Sequence, residues 1–418
     1  MIPLELDGIE RICPGRLERA SGATVVTGVQ IDSRRVGPGD LFVAVGDGEA
    51  FVGDAMTRGA AATLVPEDAF AALAALARAV RDRSEATVVA ITGSTGKTST
   101  KDILAAICAS RRKSIAAEAS FNNELGVPLT LCRLEPETEV CILELAMRGA
   151  GQIAALAEVA RPSIGVVTNV GPAHLERVGS LEAVAQAKGE LVAALPPGGV
   201  AIVPEDFAVE RRDIEVVRRG QPDAVPENGA TRLRFDGREV IFSFRGRHHA
   251  ENALSALHAA NALGIVVEGP VEVEFSRWRG EEITLAGGGL IVNDCWNANP
   301  MSMRAALEDL VDRAAGRRTV AVLGEMAELG ADSTAYHREV GRLAGDLGVV
   351  VLIAVGERGQ QYVESADGVA VAAVAADAND AVAIAKRLVQ PGDCVLVKGS
   401  RVVGLEVVAA ELAGGSVD

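Results

Sequence analysis

The chemistry-bearing residues of this chain sit where apolar runs stop. The richest case is TVVAITGSTGKTSTKD, residues 87–102. Val88, Val89, Ala90 and Ile91 read as a buried strand, and Ile103, Leu104 and Ile107 as the apolar face of a helix. Between them lies the turn Gly93-Ser94-Thr95-Gly96-Lys97-Thr98. Strand, glycine turn, Lys-Thr and helix in that order cradle a phosphate. Glycines let backbone N–H groups approach the anion, and the helix N-terminus adds partial positive charge. Lys97 is placed to reach terminal phosphates and Thr98 to offer its hydroxyl to Mg²⁺. The longer form of this loop has its first glycine where this chain has Ile91, so the turn is the shorter G-x-x-G-K-T form.

Further candidates close the following strands. Val140-Cys141-Ile142-Leu143-Glu144 delivers a carboxylate to a strand end, where open α/β sheets gather ligands and a nucleotide needs an acid for its metal. In Thr168-Asn169-Val170-Gly171-Pro172-Ala173-His174 a Gly-Pro turn presents His174 to the same cleft. A lone histidine is more often structural, and Lys188, in the helical segment after it, taken alone is a solvated helix lysine. Gly246–Leu254 opens a small-residue helix with a polar cluster, in which Asn252 suits an adenine edge. Asn-Asp-Cys-Trp-Asn-Ala-Asn-Pro (293–300) is a comparable polar loop before a helix. Helix capping accounts equally well for these last two segments by themselves.

The elements that position these groups form an α/β protein in three blocks. Residues 1–84 hold short strands around Thr24–Ile31 and Leu41–Val45, then an Ala-rich helix from Glu67 to Arg83. Asp82-Arg83-Ser84-Glu85 is the linker to the second block, 85–284. There the apolar runs Val140–Leu145, Ile164–Asn169 and Val200–Val203 alternate with helical periods, which predicts a mostly parallel sheet wrapped by helices. Thr231–Phe235 and Glu239–Phe244 read as antiparallel pieces in a more polar stretch. The third block, 285–418, repeats the alternation through Leu290–Asn293, Val320–Leu323, Val349–Val355 and Cys394–Val397. It lacks a phosphate loop of its own, as a lid or acceptor-binding module would.

Composition narrows the partners. A length of 418 residues and 49% hydrophobic content provide ample core. Net charge is −16, and basic pairs such as 34–35, 111–112 and 211–212 are short and scattered. Nucleic acid and membrane surfaces are therefore excluded as partners. An anionic substrate must be held by local clusters. Six dispersed cysteines without a C-x-x-C pair predict buried thiols in a reducing cytoplasm and no structural zinc. Neither a signal peptide nor an apolar run long enough to span a bilayer is read.

Taken together the segments resemble the Mur ligases of peptidoglycan synthesis. The match runs in order through GVQIDSRRVGPGDLFVAV (28–45), ITGSTGKTSTKD (91–102), FNNELGVPLTL (121–131), ILELAMRGAGQI (142–153) and TNVGPAHLERVGSLEAVAQAKGEL (168–191). It continues through NALSALHAA (252–260), NDCWNANPMSMRAAL (293–307), AVLGEMAELG (321–330) and LVKGSR (396–401). FNNELGVPLTL and WNANPMSMRAAL are most similar to the branch that joins UDP-N-acetylmuramoyl-tripeptide to D-alanyl-D-alanine with ATP. The resemblance implies a small UDP-sugar domain, a central P-loop-type ATPase domain and a C-terminal Rossmann-like acceptor domain, in a monomeric cytoplasmic enzyme.

Residue by residue it implies that Gly93–Thr98 hold the ATP phosphates, with Lys97 catalytic. Thr98, Glu144 and His174 serve Mg²⁺ directly or through water. Lys188 matches the lysine that sister ligases carbamylate, whose new carboxylate helps hold a second ion. Asn252 and Arg279 contact nucleotide. Ser33 and Arg34 fall in the UDP motif, while Asn122, Asn123, Asn297, Asn299, Lys398, Ser400 and Arg401 line the substrate side.

Three departures stand out. After Ala60–Val65 the chain passes almost directly into the 69–83 helix, so a strand and loop of the first domain are absent. Cys295-Trp296 replaces Ser-Tyr, and Ala146 stands where Gly is common. Folylpolyglutamate- or cyanophycin-type ligases lack the WNANPMSMRAAL segment. A GTPase switch would need Asn-Lys-x-Asp, which does not occur. A non-catalytic scaffold would have no use for Lys97, Glu144, His174 and Lys188.

Overall fold

The computed structural model describes residues 1–227, 229–285 and 287–415. Three α/β units follow one another along the chain. The first carries a four-stranded sheet in the order Gly15–Arg19, Ala62–Pro66, Asp40–Val43, Gly28–Gln30. Helix Ala69–Arg81 covers it. Asp68 starts that helix by accepting hydrogen bonds from the Phe70 and Ala71 N–H groups, at 2.9 and 3.0 Å. Leu73, Leu76, Ala77 and Val80 then recur at helical spacing on the buried face. Only Glu67 and Asp68 separate the strand from this helix, the short passage visible in the sequence.

The second unit is built on six parallel strands, ordered Glu215–Arg218, Val200–Val203, Ile164–Val167, Thr87–Thr92, Val140–Glu144, Ser114–Ala116. Thr87–Thr92 lies centrally, and the chain order reverses around it. Such a reversal splays the connections apart and leaves a crevice at the carboxyl ends of the strands. Lys97 opens the helix Lys97–Ala109 there, and Glu144 closes the neighbouring strand. The polar stretch after it forms a separate sheet. Asp223–Glu227, Ala230–Phe235 and Arg238–Phe242 run antiparallel, and Gly269–Val271 joins in parallel.

The third unit has the strand order Glu281–Leu285, Gly289–Asp294, Cys394–Lys398, Thr319–Gly324, Val351–Val355, Val371–Ala375. All neighbours are parallel except the first pair, which is a hairpin. This hairpin corrects the boundary expected at 284/285: Glu281–Leu285 pairs with Gly289–Asp294 and so belongs to the third sheet. Its two acidic residues and half-exposed edge hid it from an apolar count. Among the described residues no helix is long and apolar enough to cross a membrane, and all six cysteines are buried free thiols.

Candidate active site

The phosphate loop is held open by its neighbours. Gly93 takes φ +151, and a Cβ there would fall 1.8 Å from the Thr168 hydroxyl oxygen. Gly96 takes φ +77, and a Cβ there would fall 2.2 Å from Asn252 Oδ1. Side chains at either position would close the cradle or collide with its wall. The next strand end fastens the loop. Thr95 N–H donates to Asn169 Oδ1 at 2.9 Å, Asn169 Nδ2 donates to Thr95 Oγ1 at 2.7 Å, and Ser94 Oγ donates to the Gly171 carbonyl at 3.0 Å. The sequence alone assigns Thr168 and Asn169 no role. Their position one and two residues past a core strand is the available signal.

Lys97 and Glu144 meet at the loop. Lys97 Nζ donates to the Gly93 carbonyl at 2.8 Å. Burial pushes its pKa down, Glu144 opposes that, and Arg279 adds to it. The Glu144 side chain is only 1% exposed. It accepts from Thr98 Oγ1 and from Asn122 Nδ2, each at 2.7 Å. The Glu144 carboxylate is thus buried at the cavity wall with two neutral donors, and the Lys97 and Arg279 charges offset the cost of burying it. No cluster of three or more His, Cys, Asp or Glu side chains suited to a metal occurs among the described residues. A hydroxyl, one carboxylate and one imidazole facing a phosphate site nevertheless fit Mg²⁺, which takes few protein ligands and completes its shell with phosphate and water. The donor set Thr98, Glu144 and His174 passes that test.

His174 lines the same cavity. Burial and the Lys97 charge push its pKa down, while Glu328 pulls it up. Lys188 lies in the helix Leu181–Ala193 and is 2% exposed. Burial drives its pKa well below the usual value, and the nearby Lys97 ammonium pushes the same way. This helix lysine is therefore not the solvated one that its local pattern describes.

A cavity of about 1270 Å³ separates the second unit from the third. Lys97, Glu144 and Asn252 line one wall, and Asp294, Asn297 and Lys398 the other. Asn299 caps the helix Pro300–Ala314 through a reciprocal bond with Ser302. Its amide also crosses to the phosphate loop, donating to the Ser94 carbonyl at 3.4 Å. Lys398 Nζ is tied to Asp294 Oδ2 at 2.6 Å and to the Asn297 carbonyl at 2.9 Å. Arg279 donates to Ser120 Oγ at 3.2 Å and lies 5.7 Å over the Trp296 ring, so it bridges the units beside Asn122 and Asn123.

Four expected residues lie elsewhere. Ser33 and Arg34 belong to the first unit, where Arg34 forks onto Asp32, with Nη2 to Oδ2 at 2.8 Å. That fork holds the Asp32 carboxyl down at about 2. Ser400 Oγ accepts from the Ala327 N–H at 2.9 Å. Arg401 pairs with Glu406 and stacks 4.6 Å over Trp278. None of the four lines the cavity, and neither does the buried Lys188. Glu328 faces a partner across this junction, whereas Asp294 pairs with Lys398 inside the third unit; in the sequence both are only letters of longer motifs.

Comparison with known proteins fits this geometry. The pattern of the Mur ligase middle domain matches residues 91–260, and that of the Mur ligase, glutamate ligase domain matches residues 278–401. The UDP-N-acetylmuramoyl-tripeptide–D-alanyl-D-alanine ligase of Mycobacterium tuberculosis H37Rv is 39% identical, over 93% of this chain and 92% of that protein. The enzyme of the same name from Escherichia coli K12 is 33% identical over 99% of both. The crystal structure of MurF from Acinetobacter baumannii superposes with a TM-score of 0.86 at 27% identity, covering 99% of each chain. MurF ligase from Thermotoga maritima in complex with ADP superposes at 0.78 with 26% identity, covering 93% of this chain and 97% of that one. A phosphate loop opposite a second α/β unit, with likeness over almost the whole length, establishes that the chain belongs to the Mur ligase family.

Proposed function

We propose that this cavity joins the terminal carboxylate of UDP-N-acetylmuramoyl-tripeptide to the amine of D-alanyl-D-alanine, with cleavage of ATP to ADP and phosphate. The observation that carries the reading is the Asn299–Ser94 contact, which brings an acceptor-side loop onto a nucleotide loop. A carboxylate resists attack because its charge is delocalised. Its oxygen takes the γ-phosphoryl group of ATP, the bond to ADP breaks, and an acyl phosphate forms. The amine then attacks the acyl carbon, a proton leaves the nitrogen, and phosphate departs from the tetrahedral intermediate. Lys97 neutralises charge on the transferring group, and the loop N–H groups hold the phosphates in line. Thr98, Glu144 and His174 would hold Mg²⁺, which would supply charge neutralisation for the two anions.

The division of labour follows the units. Ser33 and Arg34 hold the UDP-sugar, Asn252 and Arg279 the nucleotide, and Asn297, Asn299 and Lys398 the acceptor side, with Ser400 and Arg401 behind it. Asn122 and Asn123 support the donor carboxylate. We place the reaction in the cytoplasm, as buried free thiols suit, and in a monomer, which sedimentation at assay concentration checks. Lys188 would be carbamylated: its neutral amine would add to CO₂ with loss of a proton, and the new carboxylate would help to hold a second Mg²⁺. The depressed pKa supports this by raising the neutral fraction.

Coupled phosphate release tests the main reading. Release must require ATP, the tripeptide donor and D-alanyl-D-alanine together, and must be matched by pentapeptide product. ATP consumption without ligation overturns it. Removing CO₂ should lower turnover, and bicarbonate should restore it. Full activity with Lys188 unmodified by mass spectrometry overturns the carbamate.

A further inference from the structure

The contact between His174 and Glu328 joins residues 154 positions apart and spans the two units around the cavity. His174 Nδ1 and a Glu328 carboxylate oxygen are hydrogen-bonded. Both residues adopt left-handed backbone, φ +58 for His174 and φ +61 for Glu328, a conformation that non-glycine residues rarely take. Two neighbouring contacts fix the geometry. Glu176 N–H donates to the Glu328 carbonyl at 3.2 Å, and Gly330 packs against the Glu176 backbone. The side chains are 24% and 32% exposed, so the pair lies at the cavity margin and not in a core.

We propose that Glu328 is a positioning residue for His174, supplied by the third unit to complete the cation site of the second. The inference rests on the reading of His174 as a Mg²⁺-side group. An imidazole that gives its Nδ1 proton to a carboxylate is fixed in ring orientation and presents the Nε2 lone pair outward. Here that orientation depends on a residue of the opposite unit, so docking of the third unit sets the histidine. Energy stored in two unfavourable backbone conformations marks this as a constrained contact.

Glu328→Gly separates positioning from folding. Glycine accepts φ +61 without steric strain, which offsets the lost hydrogen bond and the added freedom of the unfolded chain, so the variant should unfold at a temperature close to that of the parent. Mn²⁺ replaces Mg²⁺ as the probe, and its binding is read by electron paramagnetic resonance with a non-hydrolysable ATP analogue present. Glu328→Gly should weaken Mn²⁺ binding about 10-fold or more, with a comparable fall in kcat and little change in KM for the tripeptide donor. Glu328→Gln, which still accepts from Nδ1–H, should recover most of the Mn²⁺ affinity. Parental Mn²⁺ affinity and kcat in Glu328→Gly overturn the inference. If His174→Ala also keeps parental Mn²⁺ affinity, the metal reading of His174 falls as well. A defect in His174→Ala alone overturns only the role of Glu328.

Discussion

Lys97 and Lys188 show how one neighbourhood imposes opposite demands on two ammonium groups. Lys97 has a carboxylate, Glu144, partly offsetting its burial. Lys188 has only burial and the Lys97 charge acting on it, both unfavourable to its proton. Lys97→Ala removes a preorganised donor to the transferring phosphoryl group and should lower turnover by roughly 10²–10³-fold or more. Single-turnover phosphate release with saturating ATP measures this, and near-parental turnover would refute the assignment. Lys188→Met should abolish ligation and yet stabilise the fold in CO₂-free buffer. The unfolded chain holds the Lys188 proton up to its ordinary pKa of about 10.4, whereas the folded protein releases it earlier. Across that interval the unfolded state binds more protons, so parental stability climbs with pH. The gain from Lys188→Met should be largest below the folded pKa and vanish above the unfolded one, as thermal midpoints from neutral to alkaline pH will show. Lys97, Thr98 and Glu144 were legible in the sequence because their chemistry follows from a local strand–turn–helix pattern. The burial of Lys188 was not, since it arises from packing and only the family resemblance pointed to that residue; Glu328 was not, since its partner lies 154 residues away.

At the scale of elements, the site depends on how the central strand Thr87–Thr92 hands its loop to the strand end at Thr168. Gly93 has no room for a side chain. A Cβ would press on the Thr168 hydroxyl, and the Thr168 Cβ and the Asn169 nitrogen lie within 3.0 and 3.2 Å. Threonine is β-branched and cannot swing away, so Gly93→Ala must displace the loop. A misplacement of about 1 Å suffices for a 10²-fold loss of rate. Turnover should fall by at least about that factor, with weaker ADP binding by calorimetry; intact ADP binding would mean that the loop tolerates the shift. The same elements explain what periodicity could reveal. Val140–Glu144 and Ile164–Val167 are wholly buried and read as continuous apolar runs. Edge strands were harder. Glu281–Leu285 opens on two consecutive acidic residues, Asp223–Glu227 carries Pro226, and Val371–Ala375 is mostly exposed. Edges tolerate such residues because one side of the ladder faces solvent, which dilutes the pattern.

Over the whole molecule, an excess of 16 negative charges must admit a nucleoside triphosphate and a UDP-linked peptide that are themselves anionic. Attraction is confined to the cavity, where Lys97 and Arg279 face the loop, while the surrounding surface repels. These two contributions differ in range. Groups inside a buried cleft are screened weakly by salt, whereas repulsion across solvent decays within a Debye length of about 10 Å at 0.1 M. Raising ionic strength should therefore remove the opposing long-range field and spare the local contacts. KM for Mg·ATP is expected to fall by about twofold between roughly 10 mM and 150 mM monovalent salt, with kcat nearly constant. Steady-state assays at fixed free Mg²⁺ will measure it. A KM that rises steeply with salt would instead mean that exposed cations, not the recessed Lys97 and Arg279, capture the nucleotide. Surface arginines at the cavity mouth such as Arg247 and Arg304 would then be the groups to neutralise.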